Sequence, residues 1–323
     1  MSRIRTSLLM AAGLLLAFAA SAAAQQDYPN RPIRLIIPFP SGGSNDIVGR
    51  AIANQMGERL GKQIIIDNRT GAGGVIGTEL ASKAPADGYT ILVISIAHSV
   101  NPWLYKLPYD PIKAFTQIGI MGTGTNVLTV HPSLPVNSLK EFLAMAKAKP
   151  GELSYASAGI GTFQHLGAEL FRLEAKVNLL HVPFRGGGPA LVDVLGGHNK
   201  IMFSSLVQAV PHIKTGRLRA LGTGGKERVP ALAEVPTISE AGVPGYEALN
   251  WWGLLAPAGT SAPVIARLHK ALEDAQDAPE IQQQFEKEGA ATRKMSSADF
   301  GKFIESEMNK WERVVKEGGI KAE

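Results

Sequence analysis

Four short segments bring glycines, small hydroxyl residues and the start of a helical pattern together, each directly after an apolar run. In residues 33–46, IRLIIPFPSGGSND, the run Ile33–Ile37 stops at Pro38-Phe39-Pro40, because proline cannot donate to a sheet ladder. Ser41, Gly42 and Gly43 follow, and a helix is expected from Ser44 with Asn45 and Asp46 in its first turn. Residues 154–165, SYASAGIGTFQH, set Ala158, Gly159 and Gly161 ahead of a helix capped at Thr162, with His165 one turn in. Residues 181–195, HVPFRGGGPALVDVL, carry Arg185 and three glycines before Pro189, a favoured first-turn residue. Residues 200–207, KIMFSSLV, end their strand in Ser204-Ser205. The chemistry on offer is anion binding. The first amides of a helix have no carbonyl partner and sit at the positive end of its dipole, and glycine lets a ligand approach the backbone closely. Such a corner is a cradle for a small anion.

Magnitudes support a binding site made this way. A charge-assisted hydrogen bond contributes about 1.5–3 kcal/mol and a helix end about 0.3–1 kcal/mol. Four or five such contacts reach the roughly −8 kcal/mol of micromolar affinity after ordering costs. Side chains near the corners have two readings each. Asp46 is a dipole-favoured surface carboxylate or a rim residue orienting Ser41. Arg185 forms a surface or inter-lobe ion pair, or it grips a ligand carboxylate with its planar fork. His98 and Asn101 follow the expected strand Thr90–Ile94; they join the site or, for Asn101 before Pro102, shape a turn. His165 lines the site or packs. Phe39 and Phe184 are core residues or apolar walls for a carbon skeleton.

Signatures of catalysis are missing from the sequence. There is no G-x-S-x-G elbow, H-E-x-x-H or Walker A lysine motif, and GAGGVIG at 71–77 fails the dinucleotide pattern. The 7 histidines show no metal-ligand spacing, and with 0 cysteines neither thiol chemistry nor a disulfide framework is available. No enzyme activity, cofactor or metal is expected. The net charge of +5 includes Arg3 and Arg5 and is spread along the chain, which argues against nucleic acid or a membrane surface as partner.

Those two arginines open residues 1–24, which read as a secretion signal: a basic start, an apolar stretch from Leu8 to Ala20, and Ala22-Ala23-Ala24 before Gln25. The apolar stretch is shorter than the ~20 residues of a spanning helix. A periplasmic monomer is the expectation.

Apolar runs alternating with helical patterns then predict an α/β architecture with mostly parallel sheets. Strands are expected at 33–37, 64–67, 90–94, 117–121, 127–131, 153–156, 179–183, 200–203 and 218–222. Helices are expected at 44–60, 74–83, 139–147, 162–172, 189–195, 207–214, 262–275, 279–288 and from about Ser297 to Gly318-Gly319. The apolar stripe of the last helix, including Trp311, is read as core packing. Polar joints at Thr123–Asn126 and Pro244–Asn250 divide the chain into lobe 1 (25–125 with 248–323) and lobe 2 (126–247). Two crossovers would leave a cleft between the lobes, where the strand ends face one another.

The segments YPNRPIRLIIPFPSGGSNDIVGR (28–50), NRTGAGGVIGTELASKAPADGYTILV (68–93), SYASAGIGTFQHLGAELF (154–171), HVPFRGGGPALVDVLGGH (181–198), VPTISEAGVPGYE (235–247) and WWGLLAPAGT (251–260) resemble the Bug-type periplasmic solute-binding proteins, the receptors of tripartite tricarboxylate transporters. The resemblance implies a periplasmic binding protein fold of type II with two crossover strands. It also implies a ligand carboxylate held by the loops at Pro40–Asn45 and Ser157–Thr162, and delivery to one large and one small membrane subunit. Phe39, Ser41, Gly42, Gly43, Asn45, Ala158, Gly159 and Thr162 are the positions it designates. Ser41 and Ser204 stand where many members of that family carry Ala and Asp. Without the acid, a ligand ammonium lacks a partner, so a dicarboxylate or aromatic carboxylate is expected. Two other roles are compatible with the sequence: a sensory adaptor that reports the same ligand to a membrane kinase, and an exported hydrolase using Ser41 or Ser204 with a histidine.

Overall fold

The computed structural model describes residues 28–322, so the expected leader at 1–24 lies outside them. The apolar runs form ten strands. β1 (Ile33–Ile37), β2 (Ile64–Asn68), β3 (Thr90–Ser95), β4 (Phe115–Val130) and β5 (Ser154–Ser157) come first. β6 (Leu180–Pro183), β7 (Ile201–Ser205), β8 (Arg219–Thr223), β9 (Leu249–Pro257) and β10 (Ala290–Thr292) follow. The helices are α1 (Ser44–Leu60), α2 (Val75–Ser82), α3 (Ile96–Leu104), α4 (Leu139–Ala148) and α5 (Phe163–Ala175). The remainder are α6 (Gly187–Leu195), α7 (Leu206–Lys214), α8 (Ala262–Gln276), α9 (Pro279–Glu288) and α10 (Ser297–Glu317).

The strand order is β2-β1-β3-β9-β4-β7-β5-β6, with β8 and β10 also paired to β4. β4 is the strand common to both halves. Its first part, Phe115 to Thr125, pairs with β9, and its second part, Asn126 to Val130, pairs with β7 and β8. Two separate strands with a joint at 123–126 are expected from the sequence; the structure instead has one strand of 16 residues. Gly122 and Gly124 do not break it, because each lies where a side chain would strike a neighbour: Ala291 O at 2.6 Å and the Trp252 ring at 2.7 Å. The pairs β1–β2, β1–β3, β5–β6 and β5–β7 are parallel as expected, whereas every pair made by β4 and β9 is antiparallel. The sheet is therefore mixed, since the two strands that cross between lobes run opposite to their neighbours.

Both faces of each sheet are covered, which is why the strands are nearly all apolar. Alternation along β1 and β3 sends Ile33, Leu35, Ile37, Ile91 and Val93 into a core with α1 and α8. Ile36, Leu92 and Ile94 point the other way, against Trp251, Phe300 and Ile304. A second core lies around Phe142, Tyr155, Phe171 and Phe203, and Trp311 of α10 packs into it, a packing residue as expected. Three elements escape the sequence reading: α3, β9 and the short β10. Among the described residues no helix is long and apolar enough to cross a membrane.

The tightest joint in the lobe 1 core is Gly253 of β9. A Cβ there would lie 2.1 Å from Phe300 Cζ. Gly253→Ala is expected to lower stability by about 1–3 kcal/mol through overpacking, read as a reduced urea midpoint with an unchanged slope.

Candidate functional site

The strand ends of both lobes meet at a small cavity of about 20 Å³. Four helices begin at its wall. α1 starts after Gly43, α3 after Ser95, α5 after Thr162 and α6 after Gly186, and none of these N-cap residues makes a side-chain cap bond. Gly43, Ser95, Thr162 and Gly187 all line the cavity. α2, α7 and α9 lack a side-chain cap as well, whereas Ser138 and Ser296 cap α4 and α10. What sets the four helices apart is that their first turns open at one cavity wall, where the first amides have no carbonyl partner within the helix. None of the lining residues carries a charge. The positive potential comes from backbone amides and helix ends alone.

The first corner is shaped by backbone and one carboxylate. Gly42 has φ of 78°, a left-handed conformation that favours glycine. Its amide donates to Asp46 Oδ2 at 3.0 Å. Asp46 also accepts from Arg50 Nε and Asn68 Nδ2, both at 2.9 Å, and Asn68 donates to Phe39 O as well. Burial works to raise the Asp46 carboxyl, but the bonds from Arg50, Asn68 and the Gly42 amide outweigh it and hold the pKa below the ordinary carboxylate value. Asp46 therefore shapes the loop from behind.

The second corner turns on Gly159 and Gly161, with φ of 118° and 73°. Thr162 Oγ1 donates back to Gly159 O at 2.6 Å instead of capping α5. The third corner closes against the first. A Cβ on Gly188 would sit 2.7 Å from Ser41 O, and one on Gly186 would sit 2.2 Å from Pro40 Cγ. Only glycine permits this approach between lobes.

The expected residues fall into distinct places. Phe39, Gly43, Asn45, Ala158 and Thr162 line the cavity together. Gly159 and Arg185 line a wider neighbouring cavity, which also touches Phe39, Ala158 and Phe184. Ser41 and Gly42 face an open groove beside Phe184 and Pro189. His165 touches the second corner, accepting from the Gly161 amide at 3.2 Å. His98 is buried, with Nε2 2.9 Å from Pro111 O and its ring edge-on to Phe115. Burial, opposed by that carbonyl, pulls its pKa down to about 4. Asn101 donates to Gly73 O at 3.1 Å, tying α3 to the loop before α2. Ser204 is fully buried and paired with Thr129 Oγ1 at 2.9 Å. Ser205 ends β7, and its hydroxyl is buried without a hydrogen-bond partner. Among the described residues neither Ser41 nor Ser204 is hydrogen-bonded to a histidine.

Lining residues not anticipated include Ser95, Ala97, Phe163, Gln164 and Asn250. Asn45 and Asn250 each leave a buried side-chain oxygen unpaired, so the wall has hydrogen-bonding capacity that the protein itself does not use. Ser95 ends an apolar strand just as Ser205 does, and that parallel is the signal that would have found it. Asn250 has no local signal.

Asp46 gives a test of the first corner. Its lowered pKa means that its contribution to stability is present above about pH 4 and lost as pH falls through the folded value. Asp46→Asn is expected to cost about 1–3 kcal/mol near pH 7. The melting-temperature gap to the parent should shrink steadily as pH falls below about 4.

Comparison with known proteins adds the family. The profile described as "Tripartite tricarboxylate transporter family receptor" matches residues 48–320. The chain is 35% identical to Protein BugT of Bordetella pertussis, with 98% of each chain covered. Its fold is similar to that of the periplasmic binding protein BugD, with a TM-score of 0.88 and 32% identity over 91% of this chain and 100% of the other. It is also similar to Rpa4515 of R. palustris with adipate, with a TM-score of 0.89 and 34% identity over 92% of this chain and 100% of the other. The chain belongs to the tripartite tricarboxylate transporter receptor family, a family of solute-binding receptors rather than enzymes.

Proposed function

We propose that this receptor works in the periplasm, closing its two lobes on a small organic carboxylate that lacks an amino group and delivering it to the large and small membrane subunits of a tripartite transporter. The observation that carries this reading is the cavity into which four uncapped helices open with no charged residue in its wall. A carboxylate supplies the charge those amides lack, and an ammonium finds no acidic partner there. Ser204, at the position where an acid would serve an ammonium, spends its hydroxyl on Thr129. Phe39, Ala97, Ala158 and Phe163 offer apolar wall to a carbon skeleton. Rpa4515, similar in fold, is described with adipate, which favours a dicarboxylate; an aromatic acid is compatible with the same walls. In this reading residues 25–125 with 248–323 form one lobe and 126–247 the other, a division supported by the change of β4 partners between Thr125 and Asn126.

A thermal-shift screen of organic acids followed by calorimetry tests the ligand class. Adipate, malate and benzoate are the first probes, and at least one plain acid is expected to bind at micromolar level and more tightly than aspartate or glutamate. Tighter binding of an amino acid would overturn the class. Gly188→Ala tests closure separately. Its methyl group would meet Ser41 O, so affinity for the best acid should fall about tenfold or more, close to 1.4 kcal/mol, while the ligand-free melting temperature stays near that of the parent.

A further inference from the structure

Behind the second corner lies a buried stack that touches no ligand wall. The rings of His165 and His181 are 4.1 Å apart and nearly parallel. Tyr155 stacks on the far side of His181 at 5.0 Å. Both histidines bond to the loop that forms the corner. His165 Nδ1 accepts from the Gly161 amide at 3.2 Å. His181 Nε2 lies 2.6 Å from Ser157 Oγ, which in turn accepts from the Gly159 amide at 3.1 Å. Of the two left-handed glycines at this corner, Gly161 is held by an imidazole and Gly159 by Ser157.

We infer that His165 is a positioning residue for the second anion corner, and that it holds the Gly161 turn only while its ring is neutral. This deepens the proposed function and rests on it for the ligand, though not for the loop. The argument is a count of donors and acceptors. To accept from Gly161, His165 Nδ1 must carry no proton, so its hydrogen is on Nε2, facing Glu169 Oε1 at 3.9 Å. Ser157 accepts from Gly159 and also lies 3.4 Å from Gly159 O, so its hydroxyl proton has two acceptors within reach, that carbonyl and His181 Nε2, and a proton on His181 Nε2 is accommodated by rotating the hydroxyl. His165 has no such freedom: protonating it sets an N–H against the Gly161 N–H and forces the loop to re-aim.

The surroundings favour the neutral pair. Arg172 lies nearby on α5, and its charge opposes an imidazolium at both rings. Glu169 on α5 favours one at His165, but it already accepts from Tyr155 Oη of β5 and Arg172 Nη1, each at 2.6 Å. The His165 ring also disfavours charge on His181. Burial is the largest cause in both cases, and the pKa of His165 falls to about 4 and that of His181 to about 3. Ser157 is fully buried and His181 half-buried, and neither lines a cavity at the corner, so the role of the pair is structural.

The test reads the loop directly. In the ligand-free protein, the Gly161 amide resonance should be constant from pH 8 to about 6 and move as pH falls towards 4. His165→Asn places a non-titrating oxygen near the Nδ1 position and should remove the step at Gly161. His165→Leu removes the acceptor and should weaken adipate binding at pH 7.5 about tenfold, the effect of one hydrogen bond, with His165→Asn recovering most of that loss. A Gly161 resonance that ignores pH while His165 titrates overturns the inference, as does His165→Leu binding adipate as tightly as the parent. Should His165→Leu fail to fold by circular dichroism, the parent and His165→Asn resonances decide. If the parent binds no adipate at any pH, the ligand assignment fails, and the Gly161 resonance still decides the role of His165.

Discussion

In the proposed function the site must hold a negative charge with no positive side chain in the cavity wall. A buried arginine or lysine would itself need a partner in the empty state, and removing that partner is strongly unfavourable. Helix N-termini avoid the difficulty. Their amides are dipoles fixed by the backbone, they carry no net charge to neutralise when the site is vacant, and several of them aimed at one point attract an anion together. The sequence meets this requirement by ending strands in glycine and serine and starting helices without delay.

The same requirement explains the crowding of glycine between the lobes. Amides from both halves converge on one small cavity only if the loops bearing them come within contact distance. Pro40 and Ser41 rest on Gly186 and Gly188 with no space for a Cβ. The left-handed turns at Gly42, Gly159 and Gly161 then aim the neighbouring backbone. Side chains set back from the cavity fix these turns: Asp46 with Asn68 on one side, Ser157 and His165 on the other.

Much of this was legible in the sequence because glycine and proline punctuate it. Pro38-Phe39-Pro40 marks a strand end without ambiguity, and the stretches 158–162 and 185–188 announce tight turns before helices. Strands and helices built from such boundaries agree with the structure over most of the chain. What was not legible had local and non-local causes. Asn101 before Pro102 reads as a turn, so the helix that carries them, α3, and Ser95 at its start went unassigned. Asn250 reaches the cavity because β9 is inserted between β3 and β4, a placement no local pattern encodes. Asp46, Ser204 and His165 illustrate the limit for side chains. Their types and spacing put them near the corners, but whether each faces the cavity or braces the wall from behind depends on partners far away in the chain, such as Asn68, Thr129 and His181.

The unbroken passage of β4 from one half of the molecule to the other has a mechanical meaning. A loose tether would let the halves drift apart, whereas a continuous ribbon, hydrogen-bonded to β9 along its first part, yields only by twisting. Neither half can be excised as an autonomous fragment, because cutting between them would strip one sheet of a shared strand and expose a raw edge to other chains.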